Sequence, residues 1–173
     1  MDNSNWYVLW IENGKEYEVK ERLISVLPKK DYEKIIVPYK NMPKRIAGKW
    51  FTTKEKLFAG YIFIVTEDPN KIVPYLEKFS GFVTFLKVGK DISPIFKEEV
   101  DFLTTLMGDN DEADLSKGII NGDILKIISG PLVGQEAKVK KIDRHKRKAV
   151  VVTELLGRCI EVTVGLEIVK RID

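Results

Sequence analysis

Two hydrophobic periods alternate along the first hundred residues. Residues 6–11 (WYVLWI) form a short apolar run rich in aromatic and branched side chains, which predicts a buried strand. After Gly14 the spacing becomes helical: Val19, Leu23, Val26 and Leu27 share one stripe, and Glu16–Lys20 and Glu18–Arg22 pair on the other face. Pro28 stops this helix. Residues 32–39 predict a second strand, and residues 57–66 (LFAGYIFIVT) predict the strongest one, with Gly60 permitting a bulge or a close backbone approach. A turn at Asp68-Pro69-Asn70 leads to a short helix around 72–79, delayed by Pro74, and then to a strand over 82–88. Ser93-Pro94 predicts a helix start, with Glu98 and Glu99 near its positive end and Phe96, Val100, Leu103 and Met107 as its stripe. This order predicts an α/β plait over residues 1–108, an antiparallel sheet carrying helices.

The pattern breaks at residues 108–117 (GDNDEADLSK), where four acids and almost nothing apolar predict a flexible acidic linker over 109–117. Residues 118–173 then read as five short strands at 123–128, 135–143, 148–155, 158–164 and 166–170. Gly130, Pro131, Gly134, Gly157 and Gly165 supply the turns. Strands at this spacing predict a small all-β, SH3-like five-stranded barrel. The fold class expected is therefore α+β: an N-terminal plait and a C-terminal barrel.

Charge changes the picture of the second half. Residues 117–173 carry 12 Lys and Arg against 7 Asp and Glu, a balance of +5, whereas the rest of the chain is slightly acidic. A basic C-terminal region points to a polyanion. The charge concentrates in the turn from Asp143 to Lys148, where Arg144, His145, Lys146, Arg147 and Lys148 follow one another. Like charges so close repel unless counter-charge is supplied, so the turn reads either as a phosphate clamp or as a solvated crest. Lys138 and Lys140 point outward along the preceding strand, Lys141 breaks the alternation, and Arg158 is placed as a flanking contact. No Phe, Tyr or Trp occurs from Lys117 to Asp173, so the barrel itself cannot stack bases as single-strand binders do. The reading that remains is structured or duplex RNA held by its backbone and shape. A second basic stretch, residues 40–56 (KNMPKRIAGKWFTTKEK), holds six cations, and Pro43 and Gly48 predict a mobile hairpin or loop there. It reads as a nucleic-acid contact or as a solvated loop.

Inventory excludes most enzymes. One His and one Cys cannot build a Cys₂His₂-type metal site, and no phosphate-cradling glycine motif precedes a helix, so neither cofactor nor metal is expected. Cys159, beside Arg158, is expected to be a small core residue. The lone cysteine points to a reducing compartment, Asp2 stands where a signal peptide needs basic residues, and the longest apolar run, 57–65, is roughly half a membrane span, so a cytoplasmic protein without a membrane segment is expected, and a monomer.

Several motifs in order resemble the NusG family of transcription elongation factors. WYVLWIENGKEYEVKERL is similar to that family's opening strand and helix, KLFAGYIFIV to its FPGY strand, and SGFVTFLKVGKDISPIFKEEV to the next strand and helix. GDILKIISGPLVGQEAKVKKID resembles its KOW motif and LLGRCIEV its FGR segment. The resemblance implies an NGN-like domain that binds the large-subunit clamp coiled coil of RNA polymerase and a nucleic-acid-binding KOW domain. Carried over by position, Trp6, Tyr7, Phe58 and Tyr61 match the polymerase-facing apolar patch, with plain core as the competing reading for Trp6. Ala59, Leu132 and Leu156 stand where the general factor has proline and two phenylalanines. Those aromatics belong to the face that meets the termination helicase Rho or a ribosomal protein, so their loss puts both contacts in doubt. With the basic crest added, the chain resembles the specialised LoaP branch, antiterminators that read an RNA hairpin in the leaders of long operons. Recruitment through non-template DNA is the further alternative. It requires a helical form of the barrel, which the valine-rich strands disfavour.

Overall fold

The computed structural model describes residues 4–173, with about 22% helix and 48% strand. Asp2 lies outside the described residues. The chain divides into two compact units, Met1–Val37 with Phe58–Val100 and Pro38–Leu57 with Asp101–Asp173.

The first unit opens with β1 (Asn5–Ile11), α1 (Glu16–Val26) and β2 (Lys34–Ile36). β3 (Tyr39–Ile46) and β4 (Lys49–Lys56) follow in sequence and belong to the second unit. The first unit resumes with β5 (Tyr61–Thr66), α2 (Val73–Leu76), β6 (Val83–Phe85) and the two-residue strands β7 (Lys87–Val88) and β8 (Asp91–Ile92). Its sheet runs β2-β5-β1-β6 with every pair antiparallel, the expected plait. Strand β1 buries Tyr7, Leu9 and Ile11 on one face and Val8 on the other, with Val8 and Leu9 fully enclosed opposite Phe63 and Ile62 of β5. Helix α1 buries Val19 and Leu23, while Val26 at its last position is exposed. Glu16 is buried too: its carboxylate accepts from the Gly60 N–H at 2.7 Å and from the Gly14 N–H, closing the strand ends that flank it.

Helix α3 (Lys97–Met107) starts later than Ser93-Pro94 suggests. The Glu99 carboxylate reaches back and accepts from the Phe96 N–H at 2.9 Å, the geometry of a capping box closed at Phe96. The buried stripe rotates accordingly to Phe102, Leu103, Leu106 and Met107, and Phe96 is exposed.

In the second unit β3 and β4 form a regular hairpin, paired from Tyr39↔Lys56 to Ile46↔Lys49. Of the mobile hairpin or loop expected here, the structure has the hairpin, and its strands pair without a break where irregular structure was expected. The two-residue turn Ala47-Gly48 has φ of 49° and 80°, and two left-handed residues match the twist of the flanking strands. The acidic stretch is likewise no free tether. β9 (Glu112–Ala113) pairs parallel to β3, Ala113 is buried, and Glu112 and Asp114 are held by the hairpin. Lys54 binds Glu112, drawing that carboxyl below its usual range, and Asn41 Nδ2 donates to Asp114 at 2.7 Å.

The barrel strands are β10 (Ser116–Asn121), β11 (Ile124–Ser129), β12 (Val139–Asp143), β13 (Lys148–Leu155) and β14 (Arg158–Ile172), in sheet order β11-β10-β14-β13-β12. Strand β10 replaces the acidic linker's last residues, and the two expected C-terminal strands are one. The first half of β14 pairs with β13 and its second half runs parallel to β10, so a single long strand curls the sheet. The expected strand at 135 begins instead with a 3-10 turn, Glu136–Lys138, whose Glu136 carboxylate accepts from the Ile127 N–H at 2.9 Å. That bond ties β11 to the entry of β12. Leu132, Val151, Leu155, Val164 and Leu166 fill the interior. Leu132 is therefore core, and the aromatic-to-leucine difference there concerns packing before any surface. Cys159, expected inside, is exposed: it pairs with Glu154 on the outward side of β13 and β14, where alternation forces it out.

Candidate functional site

The crest is the turn between β12 and β13, and its shape is set by its own backbone. The Asp143 carboxylate accepts from the Lys146 N–H at 3.0 Å, and that bond holds its carboxyl below the usual range. Arg147 adopts a left-handed φ of 50°, and its carbonyl accepts from the Leu166 N–H at 3.0 Å. Arg144, His145 and Lys146 are exposed at the tip.

The hairpin β3–β4 lies against this turn. Lys40 Nζ donates to the Thr163 carbonyl at 2.7 Å. Burial draws the Lys40 ammonium below its ordinary value and Lys148 adds to the effect, while Glu55 opposes it. The Arg147 guanidinium stands 4.0 Å from the centroid of the Trp50 ring and 3.5 Å from Glu167, and Arg45 approaches the same ring at 6.0 Å. Between the two turns runs an open groove of about 560 Å³. Lys44 and Arg45 line one wall, His145, Lys146 and Lys148 the other, with Trp50 at its side. Cations on both walls and one acid, Glu55, make a groove that attracts anions.

The expected RNA contacts do not all meet here. Arg144, His145, Lys146, Arg147 and Lys148 form the crest, and Lys141 is exposed on β12 beside it. Lys140 is bound to Glu161, which raises its ammonium's pKa and occupies its charge. Lys138 stacks its ammonium on Phe102 at 4.5 Å. Arg158 sits at the opposite end of β13 and β14 from the crest, about 23 Å of strand away at ~3.3 Å per residue. These three fall outside the cluster because pairing, not sequence proximity, decides their neighbours. Lys40, Lys44 and Arg45, which the sequence offered as a separate nucleic-acid contact or a solvated loop, join the crest in one groove, and Trp50, which the sequence did not single out, lies with them.

A second surface lies on the first unit. Trp10 and Phe82 are 47% and 49% exposed and meet edge to face, with ring centroids 4.9 Å apart. Tyr61 stands directly opposite Trp10 across β1 and β5, on the same face and half-buried. Of the residues matched to the polymerase-facing patch, Tyr7 and Phe58 are only 6% and 3% exposed, and both pack edge-on, against Phe85 and Phe63. They are core and offer no surface. Trp6 is half-buried against Phe63. The exposed aromatic pair on this unit is Trp10 and Phe82, not the Tyr7 and Phe58 that the resemblance pointed to. The described residues contain no cluster of His, Cys, Asp and Glu able to hold a metal, and no helix long and apolar enough to cross a membrane.

A plait and a barrel in one chain have known counterparts. Residues 4–104 match the family described as transcription termination factor NusG, and residues 121–153 match the KOW motif. The chain belongs to the NusG family. The transcription termination/antitermination protein NusG of Staphylococcus aureus strain Mu50 is 27% identical over 174 residues, covering 96% of this chain and 95% of that protein. The same protein of strain N315 matches equally. A solved structure, "Domain interaction in Thermotoga maritima NusG", has a TM-score of 0.58 at 23% identity and covers 95% of this chain and 93% of that one. The NusG-family match spans the plait and the KOW match spans the crest, so both surfaces lie within segments that the family defines.

Proposed function

We propose that this NusG-family chain is a transcription termination/antitermination factor that binds RNA polymerase and a structured nascent RNA, promoting read-through of terminators in long operons. One observation carries the RNA reading: the groove that gathers cations from two separate hairpins onto one anion-attracting surface. The Lys40 ammonium is half-buried, which lowers its pKa, and an arriving phosphate favours its charged form. The polymerase, through its large-subunit clamp coiled coil, is assigned to the aromatic face of Trp10, Tyr61 and Phe82, where amphipathic rings of the kind that dominate interfaces lie uncovered. The basic crest supports placing the chain in the LoaP branch.

The alternative is a general factor whose barrel meets Rho or a ribosomal protein, and one observation favours it. Ile124 is 72% exposed, and Ile128 and Val133 stand exposed on the same strand and the turn that follows. In vitro transcription through a terminator, with and without an upstream leader hairpin in the transcript, separates the two. Read-through that needs the hairpin and is lost on neutralising Arg144 and Lys146 supports the first reading. Read-through indifferent to both, with the barrel retained on Rho or the ribosomal protein, overturns it.

A further inference from the structure

The RNA reading above limits the barrel to backbone recognition, because residues 117–173 contain no Phe, Tyr or Trp. The folded chain removes that limit. Trp50 comes from the hairpin β3–β4, sixty-odd residues before the barrel, and lies half-buried beside the crest groove. We propose that Trp50, with the Arg147 guanidinium on its ring, is a stacking site for one unpaired base of the bound RNA, in a loop or a bulge. The inference rests on the RNA reading of the crest and adds a base-contacting subsite to it.

Three observations support it. The indole and the guanidinium are 4.0 Å apart, and both are planar groups on which nucleobases stack. The ring borders a groove whose walls carry Lys44, Lys146 and Lys148, so a phosphate held there delivers its own base to the ring's side of the groove. Finally, Arg147 holds a left-handed φ of 50°, a conformation that favours glycine and costs an arginine about 1–2 kcal/mol. The turn would be more stable with glycine, yet the residue present is the one whose side chain reaches Trp50. Strain of this kind gathers at functional positions.

Neighbouring Phe51 supplies the control. It is just as exposed as a binding aromatic should be, but it follows Trp50 on β4, points to the opposite face and does not line the groove. The test uses the full chain and three RNA probes: a blunt duplex, the same stem closed by an unpaired loop, and the stem interrupted by a single-base bulge. The wild type is expected to bind the loop or the bulge about 10-fold more tightly than the duplex, within the range one stacked base supplies. Trp50→Ala should abolish that preference, bringing loop, bulge and duplex to equal affinity, whereas Phe51→Ala should keep it. Trp50→Phe retains a stacking ring and should keep the preference while losing the quenching of tryptophan fluorescence that accompanies binding.

Equal affinity of the wild type for all three probes overturns the stacking site and leaves crest recognition standing. So does quenching that persists in full in Trp50→Phe, since it then arises from Trp6 or Trp10. Absence of binding to any RNA overturns both readings together.

Discussion

At the scale of single residues, two positions show how strongly the barrel depends on one contact each. Gly130 has φ of +92°, and a Cβ there would stand 2.5 Å from the Ser116 Cα and 2.7 Å from the Leu115 carbonyl oxygen. The turn lies so close because the Leu132 N–H donates to the buried Ser116 hydroxyl at 3.0 Å. Gly130→Ala combines a left-handed alanine with a backbone clash, so it should destabilise the chain by more than about 1 kcal/mol, seen as a lower denaturant midpoint. An unchanged midpoint would contradict the tight turn. Glu136 is the second position. The Ile127 N–H holds its carboxyl below the ordinary 4.5, so the folded state binds its proton less readily than the unfolded chain does. Its contribution to stability is therefore complete above pH 4.5 and lost as pH falls through the depressed folded value. In pH-dependent unfolding, the gap between wild type and Glu136→Ala should be full at neutral pH and close in acid. A gap that stays constant into acid would show that the tie between β11 and β12 does not depend on the ionised carboxylate.

At the scale of elements, the hairpin β3–β4 and the aromatic face of the plait each carry a prediction. The hairpin was legible as a basic stretch but not as regular structure, because Pro43 and Gly48 are ordinarily loop residues. Pro43 is accommodated because β9 pairs only with Tyr39 and Lys40, leaving β3 an edge strand at Pro43, where a missing N–H costs least. Ala47 bears the left-handed φ of the turn, a position that asparagine tolerates better. Ala47→Asn should raise stability by up to about 1 kcal/mol without altering RNA affinity, and a loss of stability would argue against the two-residue turn. On the plait, Trp10→Ala with Phe82→Ala removes two adjoining exposed rings. If these rings anchor the chain to polymerase, affinity should fall by about 2 kcal/mol, roughly 30-fold, in a pull-down titration, with RNA binding intact. Unchanged polymerase binding would move the anchor elsewhere.

At the scale of the whole molecule, charge is the property that both halves of the chain share unequally. Each phosphate neutralised by a cation contributes about 0.7–0.9 to the slope of log affinity against log salt. Neutralising Arg144, Lys146 and Lys148 should flatten that slope by roughly two to three, while Arg158→Ala, at the far end of the barrel, should leave it unchanged. A slope equally sensitive to Arg158 would show that RNA wraps the barrel rather than lying at the crest. From the sequence alone, the antiparallel plait, the β character of the second half and the run of cations at its turn were determined. Each of these rests on periodicity or composition within a few consecutive residues, and local backbone preference expresses such patterns directly. Tertiary structure alone decided the rest. It merged two strands into β14, drew the acidic stretch into pairing with β3, buried Tyr7 and Phe58 in place of Trp10 and Phe82, and set Trp50 beside Arg147. Those outcomes depend on which strands pair and which faces are covered, and pairing between residues a hundred positions apart leaves no periodic trace in either segment.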